Sequence, residues 1–282
     1  MYQTLISPAE LAAALSNPDW VVLDCRFDLA HPDSGATTYR ARHISGAVYA
    51  DLNRDLSAPV QPGRTGRHPL PDPQVLVTQV CAWGIANHRQ VVVYDAVGGA
   101  FAARAWWLIR WLGHTAVAVL DGGWQAWLAF GGRCASGWEQ RDPADFAPNI
   151  QPGWVVETKT LQDRLDQYCL LDARAPERYR GESEPLDPRA GHILGALSVP
   201  YSENLTANGS FKPPVQLAAR FTSLLAQQNA SNPVVCYCGS GVTACHNILA
   251  MVHAGLPEPQ LYAGSWSEWC LDPARPIALG RG

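Results

Sequence analysis

The 282-residue sequence lacks three features that would place it in a membrane, on a nucleic acid or on the secretory route. It has no long apolar run, because the most apolar stretch, residues 100–112, is interrupted by Arg104 and Arg110, so we expect no membrane span. It has no basic excess: 21 Lys and Arg stand against 25 Asp and Glu, which argues against nucleic acid or an anionic membrane surface as a partner. Residues 1–17 also lack the basic start and the apolar stretch of a secretory signal.

The eight cysteines are scattered along the chain and do not form the spacing of a disulfide framework. Without a secretory signal, they are expected to be reduced thiols in a cytoplasmic protein. Apolar residues make up 47% of the sequence and charged residues 16%, which predicts a sizeable core and argues against disorder. A chain of this length is enough for about two domains.

The sequence contains the same four blocks twice, in the same order and 142 to 149 positions apart. The pairs are "VVLDCR" and "CLLDAR", "RHISGA" and "GHILGA", "VVVYD" and "VVCYC", and "VAVLDGGWQAW" and "PQLYAGSWSEW". Four matches in register indicate two copies of one domain. We predict a first domain over residues 1–140, a linker rich in Pro and Asp over 141–154, and a second domain over 155–282.

Each copy alternates short β-branched runs with helical stretches, which predicts an α/β fold with a parallel sheet flanked by helices in each half. In such sheets, functional groups collect at the carboxyl ends of the strands. Cys238 is predicted to lie at such an end. The pattern predicts "PVVCYC" as the strand, "GSGVT" as the turn and "ACHNILAMVHAG" as the helix, ended by Gly255.

The two glycines of this turn allow the backbone to curl so that successive N–H groups point inward, and the helix N-terminus adds further unpaired N–H groups. A cysteine at the base of that loop has its thiolate stabilised, as would a terminal anionic sulfur bound to it. We therefore interpret Cys238 as a nucleophile. Cys236 lies in the buried run "PVVCY" and is predicted to be an inert core thiol.

Two other interpretations of this stretch are weaker. Cys236, Cys238, Cys245 and His246 form a C-x-C-x6-C-H string, but structural zinc sites usually space paired ligands by two to four residues, so we expect no metal. A phosphatase loop of the Cys-x5-Arg type would need an arginine at position 244, where this chain has alanine.

The first copy has Asp95 in place of the cysteine, and because a carboxylate is a poor sulfur nucleophile, we expect this copy to be catalytically inactive.

The duplicated domain and the loop "CGSGVTA" at 238–244, together with "LDAR", "YRGE", "GHILGA" and "GSWSEW", resemble the two-domain rhodaneses. The Gly-Ser-Gly loop resembles the members that use 3-mercaptopyruvate, whereas members that use thiosulfate tend to carry a cation in the loop. The resemblance implies two tandem rhodanese-like domains with the catalytic cysteine in the second. No organic cofactor or metal is implied.

The resemblance also implies a ping-pong reaction in which Cys238 takes a sulfane sulfur as a persulfide and passes it to an acceptor. The acceptor would be cyanide or a thiol, such as thioredoxin or a small thiol. Two alternatives stay open: a thiosulfate sulfurtransferase, and a sulfur-carrier module with little turnover on free donors.

Several site residues are implied by the same resemblance. Arg178, in "RYRG", matches the arginine that binds the donor carboxylate. A second arginine is expected shortly after it, but the stretch "GESEPLDPRAGHI" is about two residues shorter than the family pattern, which leaves Arg189 as the candidate and Arg180 as a weaker one. The rest of the loop is expected to bind the donor: Gly239, Gly241, Val242 and Thr243.

Ser240 and His68, in "GRHPLP", match two members of a Ser–His–Asp relay found in the family. The acidic member would fall near "YADLNRDL", where Asn53 is the aligned residue and Asp51 and Asp55 flank it. The resemblance therefore implies a Ser240–His68 pair and leaves the full relay open.

Overall fold

The computed structural model describes residues 1–226 and 232–281, which form two compact units. Unit 1 comprises Met1–Ala58, Leu70–Gln151 and Ala207–Phe211, and unit 2 comprises Pro59–Pro69, Pro152–Thr206 and Lys212–Gly282. Each unit thus includes one short segment from the other half of the sequence. The sequence repeats give no sign of these two segments.

Unit 1 is built on a five-stranded parallel sheet with helices between the strands. The sheet order is β1-β6-β5-β2-β4, and β3 and β7 form a separate antiparallel pair. The elements are β1 (Leu5–Ile6), α1 (Pro8–Ala14), β2 (Trp20–Asp24), α2 (Ser34–Ala41), β3 (His43–Ile44), β4 (Val48–Tyr49), α3 (Pro73–Ala82), β5 (Gln90–Tyr94), α4 (Ala102–Trp111), β6 (Val117–Leu120), α5 (Gly123–Phe130) and β7 (Cys134–Ala135).

Unit 2 repeats this plan with a parallel sheet of order β10-β8-β11-β12 and an antiparallel pair of β13 and β9. Val155 forms a parallel bridge to Leu261, on the edge that β1 occupies in unit 1. The elements are α6 (Thr158–Asp163), β8 (Cys169–Asp172), α7 (Pro176–Tyr179), β9 (His192–Ile193), β10 (Leu197–Ser198), α8 (Pro214–Leu225), β11 (Val234–Tyr237), α9 (Ala244–His253), β12 (Gln260–Leu261), α10 (Ser265–Trp269) and β13 (Ile277–Ala278), with 3-10 turns at Leu165–Gln167 and Tyr201–Asn204.

The predicted α/β fold is confirmed, and the strongest local patterns form the expected elements. α1 starts with a capping box in which the Ser7 hydroxyl accepts from Glu10 N at 3.3 Å and the Glu10 carboxylate accepts from Ser7 N at 2.9 Å. The central strands β2, β5 and β11 coincide with runs that contain two or three valines, and β8 coincides with the apolar run "CLLD". The run "AVYADL" gives a shorter strand than its composition suggests, since only two of its residues pair with β2.

The repeated "LDCR" and "LDAR" motifs form a buried ion pair at the carboxyl end of each unit's central strand. Arg26 Nη2 donates to Asp24 at 2.6 Å, and Arg174 Nη2 donates to Asp172 at 2.7 Å. Each guanidinium also lies over the indole ring of the repeated tryptophan block, at 4.5 and 4.7 Å. Because a buried charge is tolerated only when it is paired, these motifs are explained by the fold alone.

Candidate active site

The loop after β11 curls around the sulfur of Cys238. Backbone N–H groups of Ser240 and Gly241 point at Cys238 Sγ, with N–S distances of 3.5 and 3.2 Å. Gly241 has a φ of +77°, and a Cβ added there would lie 2.5 Å from the carbonyl oxygen of Ala263, so the turn requires glycine. The Cys238 side chain is largely buried, at 2% exposure for the residue. The predicted strand–loop–helix arrangement around this cysteine is confirmed, and N–H dipoles converge on its sulfur.

The start of α10 fixes the backbone of this loop from the other side. Cys238 N donates to Ser265 Oγ at 3.1 Å, and Cys238 O accepts from Trp266 N at 2.9 Å. Ser267 N donates to Gly239 O at 2.9 Å. Ser265 has a φ of +55°. Within residues 1–226 and 232–281 it is the one non-glycine residue with a positive φ. A left-handed serine is strained, and here the strain accompanies a contact to the cysteine that carries the site.

Ser240 and His68 lie next to each other, as the resemblance implies. Ser240 Oγ and His68 Nδ1 are 2.7 Å apart and share a buried hydrogen bond. The segment 59–69 brings His68 to the loop, and Arg67 N anchors this segment by donating to Ser267 Oγ at 3.0 Å. The acidic candidates Asp51 and Asp55 accept hydrogen bonds from backbone N–H groups within the turn at 51–55.

Arg178 and Arg67 approach the loop at Gly239. An ideal Cβ on Gly239 would lie 2.8 Å from Arg67 Nη2 and 3.2 Å from Arg178 Nη1. Arg178 also donates to Glu184 at 2.7 Å and to Asp187 at 3.1 Å, and Arg67 Nη1 forms an ion pair with the same Asp187. Sequence reasoning predicted Arg178 and missed Arg67, for which the only available signal was its place beside His68 in "GRHPLP".

The other predicted arginines make different contacts. Arg189 Nη1 donates to the carbonyl of Asp272 at 3.1 Å, and its own carbonyl accepts from Trp266 Nε1 at 2.9 Å. Arg180 pairs with Glu182 at 2.7 Å. Both side chains therefore have protein partners outside the loop that follows Cys238.

The remaining loop residues lead into α9. Val242 O accepts from Cys245 N at 3.1 Å, and Thr243 O accepts from His246 N at 3.2 Å. The first turn of α9 therefore follows the Cys238 loop directly.

The residues of the C-x-C-x6-C-H string have separate environments. Burial raises the pKa of Cys236 well above its usual value, which keeps this core cysteine in the thiol form. The Cys245 thiol donates to the carbonyl of Gly241 at 3.3 Å, and His246 Nδ1 lies 3.1 Å from Asn204 Nδ2. Within residues 1–226 and 232–281, no group of three or more His, Cys, Asp or Glu side chains is arranged to hold a metal ion. In the same ranges no helix is long and apolar enough to cross a membrane.

In unit 1, the corresponding loop follows β5, and the side chain of Asp95 occupies its centre. The Asp95 carboxylate is fully buried and accepts from the backbone N–H groups of Val97, Gly99, Phe101 and Ala102 at 2.7–2.9 Å. Burial raises the pKa of Asp95, an effect that these four donors oppose.

Comparisons with known proteins agree with this geometry. The profile of the rhodanese-like domain matches twice, over residues 7–130 and 157–272. A probable 3-mercaptopyruvate sulfurtransferase of Pseudomonas aeruginosa is 53% identical over 279 residues, which cover 98% of either chain. A putative thiosulfate sulfurtransferase of Mycobacterium tuberculosis is 39% identical over 99% of this chain and 98% of its own. The crystal structure of a 3-mercaptopyruvate sulfotransferase from Escherichia coli superposes with a TM-score of 0.81 at 30% identity, covering 95% of this chain and all of the other.

Proposed function

The chain belongs to the rhodanese family and is a sulfurtransferase, and we propose that it takes sulfur from 3-mercaptopyruvate as a persulfide on Cys238. The observation that carries this proposal is the loop itself. Backbone N–H groups converge on Cys238 Sγ, and two guanidinium groups lie beside the adjacent Gly239. A thiolate nucleophile and a site for an anionic donor therefore adjoin each other.

The first half-reaction breaks one bond and forms another. The Cys238 thiolate attacks the mercapto sulfur of the donor, and a sulfur–sulfur bond forms as the carbon–sulfur bond breaks. The electron pair of the broken bond stays with carbon, giving the enolate of pyruvate, which takes up one proton to become pyruvate. The cysteine leaves this step as a persulfide.

The loop's N–H groups serve both states of the sulfur. They stabilise the Cys238 thiolate before attack and the terminal anionic sulfur of the persulfide after it, because fixed dipoles need no reorganisation when the charge moves outward by one bond. The hydrogen-bonded pair of Ser240 and His68 adjoins the same loop and supplies a proton route to the leaving enolate. In the second half-reaction, a thiol or cyanide attacks the outer sulfur and regenerates the thiolate.

Two features favour mercaptopyruvate over thiosulfate. Residues 239–243 between Cys238 and α9 contain no cation, so the loop itself offers the sulfur backbone N–H groups and no charged side chain. Thiosulfate carries its sulfonate directly on the sulfane sulfur, whereas the mercaptopyruvate carboxylate is separated from sulfur by two carbon atoms and suits cations placed beside the loop. The identity to the Pseudomonas relative supports the same donor.

Thiosulfate is the second candidate donor, because the Mycobacterium relative is a putative thiosulfate sulfurtransferase and two arginines adjoin Gly239. Steady-state kinetics decide between the donors, with cyanide as the common acceptor and Cys238→Ser as the control for background transfer. We expect a higher kcat/KM with 3-mercaptopyruvate. A higher kcat/KM with thiosulfate would assign the chain to the second candidate, and charging only by a protein donor would indicate a sulfur carrier.

A further inference from the structure

The side chain of Arg67 lies at the end of a chain of alternating charges in unit 2. Asp172 pairs with Arg174, which also contacts Glu184, and Glu184 pairs with Arg178. Arg178 and Arg67 then share the carboxylate of Asp187. The three carboxylates are at most 4% exposed, whereas the Arg67 side chain is 29% exposed. Arg67 is therefore the member of this network that a solute can reach most readily.

The carboxylates of the network occupy only one side of each terminal guanidinium. Arg67 uses Nη1 for Asp187, and Arg178 uses Nε and Nη2 for Glu184 and Asp187. The remaining terminal nitrogens, Arg67 Nη2 and Arg178 Nη1, are the ones nearest to Gly239. The position that a Cβ on Gly239 would occupy lies 2.8 Å from the first and 3.2 Å from the second. Two guanidinium N–H groups thus converge on one position next to the nucleophilic cysteine.

We infer that Arg67 and Arg178 together bind the donor carboxylate, one oxygen to each guanidinium, and that Arg67 is the second substrate-binding arginine of this enzyme. The inference rests on the proposed function and specifies how its donor is recognised. A carboxylate bound above Gly239 leaves the mercaptomethyl end of the donor directed at the neighbouring Cys238. Asp187 bridges the two arginines from behind and holds them at this spacing. Arg189 is not assigned to this role, because its guanidinium binds the carbonyl of Asp272.

The test compares two donors that differ only at the carboxylate. 3-Mercaptopyruvate and mercaptoacetone share the mercaptomethyl ketone, but mercaptoacetone has a methyl group in place of the carboxylate. With Arg67→Gln we expect kcat/KM for mercaptopyruvate to fall about ten- to a hundredfold through KM, the range for a lost charge-assisted contact. For mercaptoacetone we expect a change within about twofold. An equal loss with both donors, or no loss with either, would overturn the assignment of Arg67.

A double variant separates substrate binding from the support of Asp187. Arg67→Gln leaves the buried Asp187 with one cation instead of two, and this alone could disturb Arg178. Combining it with Asp187→Asn removes the excess negative charge while Arg178 keeps its pair with Glu184. The mercaptopyruvate defect should persist in the double variant, and its rescue would show that Arg67 only neutralises Asp187. Arg189→Gln is the matched control and should keep the wild-type preference for mercaptopyruvate over mercaptoacetone.

The wild-type protein shows which hypothesis fails. If wild type has a higher kcat/KM with thiosulfate than with mercaptopyruvate, the proposed donor is wrong. If wild type prefers mercaptopyruvate to thiosulfate but does not distinguish it from mercaptoacetone, the donor stands and the carboxylate site of Arg67 and Arg178 is overturned. If wild type prefers mercaptopyruvate to mercaptoacetone and Arg67→Gln retains that preference, the donor stands and the Arg67 inference is overturned.

Discussion

The Asp95 loop of unit 1 and the Cys238 loop of unit 2 follow equivalent strands of the same fold but use their backbone N–H groups differently. In unit 1, a carboxylate accepts four N–H groups and closes the loop on itself. In unit 2, two N–H groups point at the sulfur of Cys238, which we propose carries the transferred atom. The curled strand–helix loop therefore presents converging N–H groups in both units. The residue at the base of the loop determines what these N–H groups bind: the structural carboxylate of Asp95 in unit 1, and the sulfur of Cys238 in unit 2.

The helix start that contacts each loop, at α5 in unit 1 and at α10 in unit 2, also differs between the units. Trp124 N donates to Asp95 O as Trp266 N donates to Cys238 O, so the backbone contact is conserved between the units. The residue before it is Gly123, with a φ of +56°, in unit 1 and the strained Ser265 in unit 2. Unit 2 accepts a strained serine whose hydroxyl binds the cysteine's N–H group.

Removing the carboxylate from the unit 1 loop should give the largest effect on stability. Asp95→Ala deprives four backbone N–H groups, three of them buried, of their acceptor, and we expect a loss of about 2–4 kcal/mol in the free energy of unfolding. Urea unfolding measures this loss, and sulfur transfer per folded molecule should stay near wild type if, as we expect, Asp95 takes no part in the reaction. An unchanged unfolding free energy would show that the four hydrogen bonds contribute little.

Bringing the unit 1 residue into the unit 2 loop should weaken donor binding. Gly239 corresponds to Ala96, and a Cβ at 239 would lie 2.8 Å from Arg67 Nη2, the movable end of a long side chain. We expect Gly239→Ala to fold with little loss of stability but to lower kcat/KM for mercaptopyruvate about tenfold, because the methyl group occupies the carboxylate position. The reciprocal control, Ala96→Gly, should leave transfer unchanged. Full activity of Gly239→Ala would contradict a carboxylate site above Gly239.

Exchanging Ser265 and Gly123, the equivalent residues at the starts of α10 and α5, should give the smallest effect on stability and transfer in unit 2. Ser265→Gly relieves the strain at positive φ but loses two hydrogen bonds of the hydroxyl, one accepted from Cys238 N and one donated to the carbonyl of Tyr262. Because these effects oppose each other, the free energy of unfolding should change by no more than about 1 kcal/mol. Sulfur transfer should fall a few-fold because the cysteine's backbone is held less firmly. The reverse exchange, Gly123→Ser, should cost more, since its Cβ would lie 2.4 Å from the carbonyl oxygen of Asp95. Equal costs for the two exchanges would contradict this asymmetry.

Local features of the sequence were sufficient to predict the strand, turn and helix that surround Cys238. The β-branched run, the glycine turn and the helix at 234–253 are contiguous, and the two-domain α/β fold followed from the repeats. The pairing of Ser240 with His68 spans 172 positions, and only the family resemblance pointed to it. The catalytic and binding roles of these residues stay predictions until the variants are measured.

Arg67 could not be predicted because its place depends on the chain's tertiary path. The segment Pro59–Pro69 joins unit 2 although it lies in the first half of the sequence, and no hydrophobic period or turn signal marks that choice. Arg189 shows the converse difficulty. Its sequence position near Arg178 made it a natural candidate, but its guanidinium donates to the carbonyl of Asp272 and its own carbonyl accepts from the Trp266 indole N–H.

The most direct test of the contrast between the two loops is the mass of the protein after reaction with 3-mercaptopyruvate in the absence of an acceptor. We predict the addition of one sulfur atom per chain, located on Cys238 by peptide mapping and absent from Cys238→Ser. Cys236 should stay unmodified because burial raises its pKa and keeps it a thiol. Cyanide should then remove the added sulfur. An added sulfur on another cysteine, or none on Cys238 while transfer proceeds, would contradict the assignment of the unit 2 loop as the sulfur-carrying site.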